Sequence, residues 1–186
     1  MRVFIAIEID EQTKKKLNSI QESIKKYVNK GNFTISDNSH VTLRFIGDAD
    51  EEELNGLKRA IDETASKAKP FTLSLDTLGH FPRKQKEIIW VGIKGQLDCL
   101  KELKRGLEEE LAKAGFKKEE REYNPHITMV RQAVLDKPVE MVREEVNIPY
   151  AEIKVKSISL MESTRIDGEL VYRSIYKKSV SNLEEQ

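Results

Sequence analysis

The sequence predicts an α+β fold of two similar lobes, each an antiparallel sheet with helices on its outer face, with a central groove that would hold the functional site. Runs of strand length alternate with amphipathic stretches of helix length along the 186 residues. The tetrapeptide His40–Leu43 recurs as His126–Met129. The segments before and after each copy follow the same order of strand and helix. We therefore interpret residues 1–186 as one bilobal domain.

The composition is typical of a globular protein with a solvated surface. Hydrophobic residues make up 38% and charged residues 34%, and 32 basic side chains balance 32 acidic ones. This balance argues against binding to long nucleic acid or to an anionic membrane, so RNA would be gripped at an end or over a few nucleotides. The lone Cys99 cannot form an internal disulfide, and no signal peptide or membrane-length apolar run is visible. We expect a cytoplasmic monomer without a membrane partner.

The predicted strands are runs in which apolar residues are continuous or alternate with polar ones. In chain order they are Val3–Ile9, Phe33–Ser36, His40–Ile46, Phe71–Asp76, Ile88–Ile93, the strand that starts at His126, Ile153–Leu160 and Leu170–Tyr176. Gly79–Pro82 is expected to break the fourth strand, and Arg83–Lys86 to form a basic loop. Asp167 and Gly168 predict a turn between the last two strands.

The four predicted helices have apolar residues at helical spacing along one side. They start at Asp10, at a capping box of Asp50 and Glu53, at Gly95 and at Pro138. The first three end at Gly31, Pro70 and Gly115. The tail after Ser179 is polar, so we expect it to fray.

An internal repeat relates the two halves of the chain. The first strand begins at Arg2, and its motif histidine, His40, follows 38 positions later. The same offset separates Ile88 from His126. Each interval contains a helix, and each motif strand leads into another helix. The repeat predicts two lobes related by a pseudo-twofold axis, with the motif strands facing each other across the groove.

Each motif places a histidine and a hydroxyl on the same face of a strand. Side chains alternate between the two faces, so His40 and Thr42 point one way while their aliphatic neighbours turn to the core. The same holds for His126 and Thr128. If the eight threonines were placed at random, the chance of this spacing after two of the three histidines would be about 0.6%.

Two such faces brought together would surround a cavity of the size of an anion, which we interpret as a site for a phosphate diester. Hydrolysis needs one group to take a proton from water and another to give one to the leaving alkoxide. Imidazole, with an unperturbed pKa of about 6.5, can do both, and hydroxyls can donate to the non-bridging oxygens. Two other interpretations stay open: surface histidines beside threonines that favour strands, or a metal site, although neither motif has a carboxylate or cysteine at ligand spacing.

These motifs resemble those of the 2H phosphoesterase superfamily, in particular its RNA 2′,3′-cyclic phosphodiesterase branch, also called 2′-5′ RNA ligase. The resemblance covers nearly the whole chain. It rests on Phe4–Ile7, His40–Gly47, Phe81-Pro82, Trp90–Gly92, Pro125–Arg131, Ser163, Gly168 and Tyr172. Met129 departs from the pattern, because leucine is commoner at that position.

The resemblance implies hydrolysis of a terminal RNA 2′,3′-cyclic phosphate to a 2′-phosphomonoester, without metal or cofactor, and a weaker, reversible 2′-5′ joining of RNA ends. It implies that His40 protonates the leaving 3′ oxygen, that His126 activates water and that Thr42 and Thr128 hold the phosphate. The partners would be RNA ends, as in tRNA-like fragments or short oligonucleotides. The same chemistry on another cyclic or 2′-5′ phosphodiester, and a non-catalytic RNA-end binder, are the alternatives.

Other residues are weaker candidates. Strand parity places Arg44 on the face of the first motif, where phosphate and solvent are equally good partners. Arg131 has the opposite parity and would need a bulge to reach the site. The basic residues within Arg83–Lys86 are predicted to be solvated, with an RNA contact as the alternative. We expect His80 and Trp90 to be structural. Base stacking by Phe81 or Trp90 is the alternative.

Overall fold

The computed structural model describes residues 1–181 and confirms an α+β fold of antiparallel sheets and helices. Its strands are β1 (Arg2–Glu8), β2 (Val28–Phe33), β3 (His40–Asp48), β4 (Phe71–Arg83), β5 (Lys86–Gly95), β6 (His126–Leu135), β7 (Glu152–Val155), β8 (Ser157–Ile166) and β9 (Glu169–Ser179). Its helices are α1 (Glu11–Lys25), α2 (Glu51–Lys67), α3 (Leu97–Lys113) and α4 (Val139–Glu145). No helix within the described part is long and apolar enough to span a bilayer.

The two sheets have corresponding strand orders. The first sheet has the order β3-β1-β8-β9, and the second has the order β2-β6-β5-β4-β7. In both sheets the motif strand, β3 or β6, lies beside the strand that opens its repeat, β1 or β5. This correspondence is the relation between lobes that the repeat predicts. Strand β2 has no counterpart in the first sheet, and it pairs with β6 in the second sheet although it precedes the first motif in the chain.

The equal spacing of the two repeats is not confirmed. β5 begins at Lys86, two residues before the predicted start at Ile88. Across the ladders, Glu8 pairs with His40 and Gly92 pairs with His126, so the interval between equivalent positions differs by two residues between the lobes. The repeat therefore holds for the order and pairing of the elements, and not for exact residue spacing.

One continuous set of buried apolar residues joins the sheets to the helices. Both faces of β1 are buried, with Val3, Ile5 and Ile7 on one face and Phe4 and Ala6 on the other, which accounts for the uninterrupted apolar run in the sequence. The predicted capping box of α2 is confirmed, since the Asp50 carboxylate accepts from the Glu53 amide and the Glu53 carboxylate accepts from the Asp50 amide. Helix α2 lies against β8, β9 and α3, and α4 lies against β4.

The predicted boundaries between α1 and β3 are wrong. Helix α1 ends at Lys25, and Gly31 lies inside strand β2 instead of ending a helix. A Cβ atom at Gly31 would lie 2.7 Å from Cγ1 of Val130, so the glycine allows β2 to approach β6 closely. The predicted strand Phe33–Ser36 is also wrong, because a single 3-10 turn at Ser36–Asn38 leads into β3.

The predicted strand break at Gly79–Pro82 is wrong. Strand β4 continues to Arg83 and pairs with β5, so the basic loop is the tight end of a hairpin, with Lys84 at φ 59°. A Cβ atom at Gly79 would lie 2.1 Å from the Trp90 ring. Gly79 therefore makes room for an indole that lies flat against the backbone of β4, and this contact is invisible in a local sequence pattern.

The predicted strand Ile153–Leu160 is two strands in different sheets. β7 pairs with β4 in the second sheet, whereas β8 pairs with β1 in the first. The β8–β9 hairpin turns at Asp167 and Gly168 as predicted. The expected fraying after Ser179 is wrong for Val180 and Ser181, whose amides donate to backbone carbonyls of other elements. The rest of the tail, residues 182–186, lies outside the described part.

Candidate active site

The two motif strands approach each other between the lobes, where β3 and β6 are in contact. A small cleft of about 230 Å³, including its opening to solvent, lies between them. Its lining residues come from both lobes and are Thr34, Asn38, His40, Thr128, Arg131 and Tyr172. The structure thus brings the histidine of the first motif and the threonine of the second motif to one opening.

His40 is held by hydrogen bonds at both ring nitrogens. Nδ1 lies 2.7 Å from the backbone oxygen of Asn38, and Nε2 lies 2.9 Å from Oγ1 of Thr42. A carbonyl oxygen only accepts, so we assign the proton of the neutral ring to Nδ1. Nε2 then accepts a hydrogen bond from the Thr42 hydroxyl.

Aromatic rings enclose His40. Its ring centroid lies 4.7 Å from that of Phe4 and 5.2 Å from that of Tyr172. This burial lowers the pKa of His40 to about 4, against the opposing effect of its backbone hydrogen bond, and the charges of Arg131 and His126 lower it further. In the free protein at pH 7, His40 is therefore neutral.

His126 has the same tautomer in more open surroundings. Nδ1 lies 2.6 Å from the backbone oxygen of Asn124 and donates to it, and within the described residues Nε2 has no hydrogen-bond partner. The ring packs edge-to-face on Phe81 and at a tilt on Trp90, with centroid distances of 5.1 and 5.6 Å. Partial burial lowers the pKa of His126, and the charge of Arg131 lowers it further.

An asparagine stands two residues before each motif histidine. The segments Asn38-Ser39-His40 and Asn124-Pro125-His126 each direct the asparagine carbonyl to the Nδ1 proton of the histidine. A search for His-x-Thr alone misses these asparagines, although their repeated spacing is visible in the sequence. The full repeated unit is therefore Asn-x-His-x-Thr.

The side chain of Asn38 also attaches the closing hairpin to the first motif. Its Nδ2 donates to the carbonyl of Leu170 at 2.8 Å, and its Oδ1 accepts from the amide of Tyr172 at 3.0 Å. Both bonds reach strand β9 and hold the Tyr172 ring against His40. The sequence resemblance at Ser163, Gly168 and Tyr172 does not indicate these two hydrogen bonds of Asn38.

A β-bulge in β3 turns Arg44 away from the cleft. Thr42 pairs with Ala6 of β1, and Arg44 pairs with the adjacent residue, Ile5. Strand β3 therefore has one extra residue here, and its side chains change faces after Thr42. The Arg44 guanidinium instead pairs with Glu108 on α3, at 2.7 Å. The prediction that Arg44 shares the face of the first motif is therefore wrong.

A bulge in β6 has the opposite effect on Arg131. The ladder to β5 shifts register between Thr128 and Val130, and Met129 and Val130 are both fully buried although they are neighbours. The next residue, Arg131, consequently faces the cleft and lines it. Strand parity had required a bulge for Arg131 to reach the site, and β6 contains one.

The segment that precedes the second motif is hydrogen-bonded to the first motif. The hydroxyl of Tyr123 donates to the carbonyl of Thr42 at 2.8 Å, and burial raises the pKa of that phenol. Lys104 of α3 donates to the carbonyl of Leu43 at 2.6 Å and pairs with two glutamates. These bonds hold the bulge of β3 in a fixed position relative to β6.

The remaining candidates lie beside the cleft or outside it. Nδ1 of His80 donates to Glu87 at 2.8 Å, and this histidine does not line the cleft. Trp90 packs between Gly79 and the ring of His126. Among residues 1–181, no group of three or more histidine, cysteine, aspartate or glutamate side chains is arranged to hold a metal ion.

Comparisons with known proteins match almost the whole chain. A model of the 2′-5′ RNA ligase superfamily matches residues 12–167. An RNA 2′,3′-cyclic phosphodiesterase of Methanocaldococcus jannaschii is 32% identical in an alignment that covers 94% of this chain and 98% of that protein. One from Methanothermobacter thermautotrophicus is 30% identical and covers 88% of this chain and 90% of that protein. The crystal structure of E. coli LigT complexed with 3′-AMP has the same fold, with a TM-score of 0.75, 24% identity and coverage of 97% and 98%.

Proposed function

The chain belongs to the 2′-5′ RNA ligase superfamily, and from this premise we propose that it hydrolyses the terminal 2′,3′-cyclic phosphate of RNA to a 2′-phosphomonoester. Relatives that are RNA 2′,3′-cyclic phosphodiesterases cover nearly its full length. The observation that carries the proposal is the cleft in which His40, Thr128 and Arg131 from the two lobes line one opening.

Binding of the cyclic phosphate would use positive charge and hydroxyls. The exposed guanidinium of Arg131 and the hydroxyl of Thr128 line the cleft and can donate to the non-bridging phosphate oxygens. Neutral rings at His40 and His126 leave Arg131 as the positive charge at the cleft in the free protein. An anion that binds there raises the pKa of both rings, because it favours their charged forms.

Protonation of His40 would release the Thr42 hydroxyl for the substrate. In the free protein this hydroxyl donates to Nε2 of His40. Once the bound phosphate has raised the pKa of His40 and Nε2 carries a proton, the ring becomes a donor at that atom. The Thr42 hydroxyl can then turn to a phosphate oxygen, and His40 becomes the general acid.

His126 would act as the general base. Its Nδ1 proton is committed to the Asn124 carbonyl, so the lone pair lies on Nε2. Nε2 takes a proton from the attacking water, the new P–O bond forms, and the P–O3′ bond breaks as His40 gives its proton to the 3′ oxygen. The products are a 2′-phosphomonoester and a free 3′-hydroxyl. If a 5′-hydroxyl replaces water, the same transfers join two RNA ends through a 2′-5′ bond.

The proposed chemistry uses no metal ion. Both histidines give their Nδ1 protons to backbone carbonyls, and among residues 1–181 neither has a carboxylate as a hydrogen-bond partner. Arg131 supplies the positive charge that a metal would otherwise provide at the phosphate.

The direct test uses a short RNA that ends in a 2′,3′-cyclic phosphate. We expect turnover in the presence of excess chelator, and we expect the product to keep its phosphate on the 2′ oxygen, as determined by NMR or by nuclease mapping. The matched control is His126→Gln, which removes the base but keeps a polar side chain. A 3′-phosphate product, or a requirement for added divalent metal, would contradict the proposal.

A further inference from the structure

A second opening continues from the cleft along the end of the β4–β5 hairpin. This opening, the basic groove, encloses about 790 Å³, including its opening to solvent. Its polar lining includes Asn32, Arg83, Lys86, Arg131 and Gln132. Arg131 lines both the cleft and the basic groove, so a ligand that fills the cleft can extend into the groove past the same guanidinium.

The cations of the basic groove are free of carboxylate partners. Within residues 1–181, Arg83, Lys86 and Arg131 take part in no ion pair, whereas Arg105 and Arg173 are paired with glutamates. The carboxylate that lines the groove, Glu87, accepts a hydrogen bond from Nδ1 of His80. The protein as a whole carries no net charge, so the positive excess here is local.

An aromatic ring connects the groove to the second histidine. Phe81 packs edge-to-face on His126, and the Arg83 guanidinium lies 5.8 Å from the centroid of the same ring. Phe81 lies behind Arg83 and does not itself line the groove, so the groove would bind single-stranded nucleic acid chiefly through its positive charge.

We propose that the basic groove binds the backbone phosphate of the nucleotide that precedes the terminal cyclic phosphate, an inference that rests on the activity proposed above. A 2′,3′-cyclic phosphate lies on the last nucleotide of a strand, so the rest of the strand leaves the cleft in the 5′ direction only. Its next phosphate needs a cation close to the one that holds the reacting phosphate. Arg83 and Lys86 provide that charge next to Arg131, so a single-stranded RNA end is turned over more efficiently than a nucleoside 2′,3′-cyclic monophosphate.

The test compares two substrates in one double variant, Arg83→Gln/Lys86→Gln. For a short oligonucleotide that ends in a 2′,3′-cyclic phosphate, we expect kcat/KM to fall about tenfold, with most of the change in KM. For a nucleoside 2′,3′-cyclic monophosphate, we expect a change of less than twofold. The slope of log(kcat/KM) against log[salt] for the oligonucleotide should decrease by about 0.7 for each lost phosphate contact. The matched control is Arg59→Gln, an exposed arginine on α2 that does not line the groove.

Three outcomes would overturn the inference. An equal loss on both substrates would mean that the hairpin supports the catalytic residues, and no loss on either would mean that the groove does not meet RNA. A wild-type protein that turns over neither substrate would refute the proposed function itself, so the two failures are distinguishable. A Lys86→Gln variant, at the exposed start of β5, repeats the measurement if the double variant does not fold.

Discussion

The two motif histidines occupy equivalent positions in a repeat but have different surroundings. His40 lies between Phe4 and Tyr172 and accepts from its own threonine, whereas His126 rests on Phe81 with Nε2 unbonded within the described residues. Both rings give their Nδ1 proton to an asparagine carbonyl, so the backbone geometry is shared. The difference comes from the strands that pack against each ring. A symmetric backbone therefore presents two chemically distinct imidazoles, as an acid and a base in one reaction require.

The comparison is tested most severely by replacing each histidine. His40→Gln and His126→Gln should each lower turnover of a cyclic phosphate substrate at least about 100-fold, because each would remove one of the two proton transfers that we propose. Initial rates on the RNA substrate provide the measurement. His80→Gln is the control, and we expect it to stay within about twofold because Nδ1 of His80 donates to Glu87 and no threonine follows it two residues later. Near-normal rates in both motif variants would refute the assignment of acid and base.

The pH profile of the wild-type protein sharpens the same comparison. The pKa of both rings is lowered in the free protein, to about 4 for His40, so kcat/KM should be maximal below pH 6.5. Bound phosphate raises the pKa of His40, so the maximum of kcat should lie at a higher pH. A maximum of kcat/KM above pH 7 would contradict the lowered pKa values.

The two bulges provide a matched pair of arginine variants. Arg131→Gln should lower kcat/KM by about 10- to 100-fold with little effect on stability, because this side chain is exposed at the cleft. Arg44→Gln should lower the free energy of unfolding by about 1–3 kcal/mol, because Glu108 loses a charged partner, while the activity of the folded protein changes little. Steady-state kinetics and urea denaturation separate the two effects. Equal kinetic losses in both variants would contradict the conclusion that Arg131 faces the cleft and Arg44 faces away from it.

The repeated asparagines give the smallest expected difference. Asn38→Ala removes two hydrogen bonds to β9, so we expect a loss of about 1–3 kcal/mol in unfolding free energy and a severalfold loss in turnover as Tyr172 loosens from His40. Asn124→Ala keeps the backbone carbonyl that holds His126, and its side chain is exposed, so stability should change by less than about 0.5 kcal/mol. Thermal unfolding and kinetics on both variants provide the test, and equal effects would place the two asparagines in equivalent roles.

The fold class and the meeting of the two motif strands were predictable because they follow from periodicity and from a repeated motif. The faces of Arg44 and Arg131 were less accessible, since a bulge depends on the partner strand, and one extra residue reverses every side chain beyond it. Parity alone was therefore misleading for both arginines, since it placed Arg44 on the motif face and Arg131 on the opposite one.

Glycine was the other source of error. Gly31 and Gly79 look like ends of elements in a local pattern, yet each lies inside a strand against a side chain of the neighbouring strand, Val130 for Gly31 and Trp90 for Gly79. Such contacts cannot be inferred without the tertiary structure. The asparagine before each histidine, in contrast, is fully visible in the sequence and needed only a longer motif to be found.

Strand β2 has a consequence for any attempt to separate the lobes. It is encoded before the first motif, but it covers the outer edge of β6, where Asn32 pairs with Arg131. A fragment that begins at β4 would contain the whole second motif but would leave that edge without its backbone partner, open to pairing with another chain. The halves are thus interlocked, because β2 completes the second sheet while β8 and β9, from the second half of the chain, complete the first.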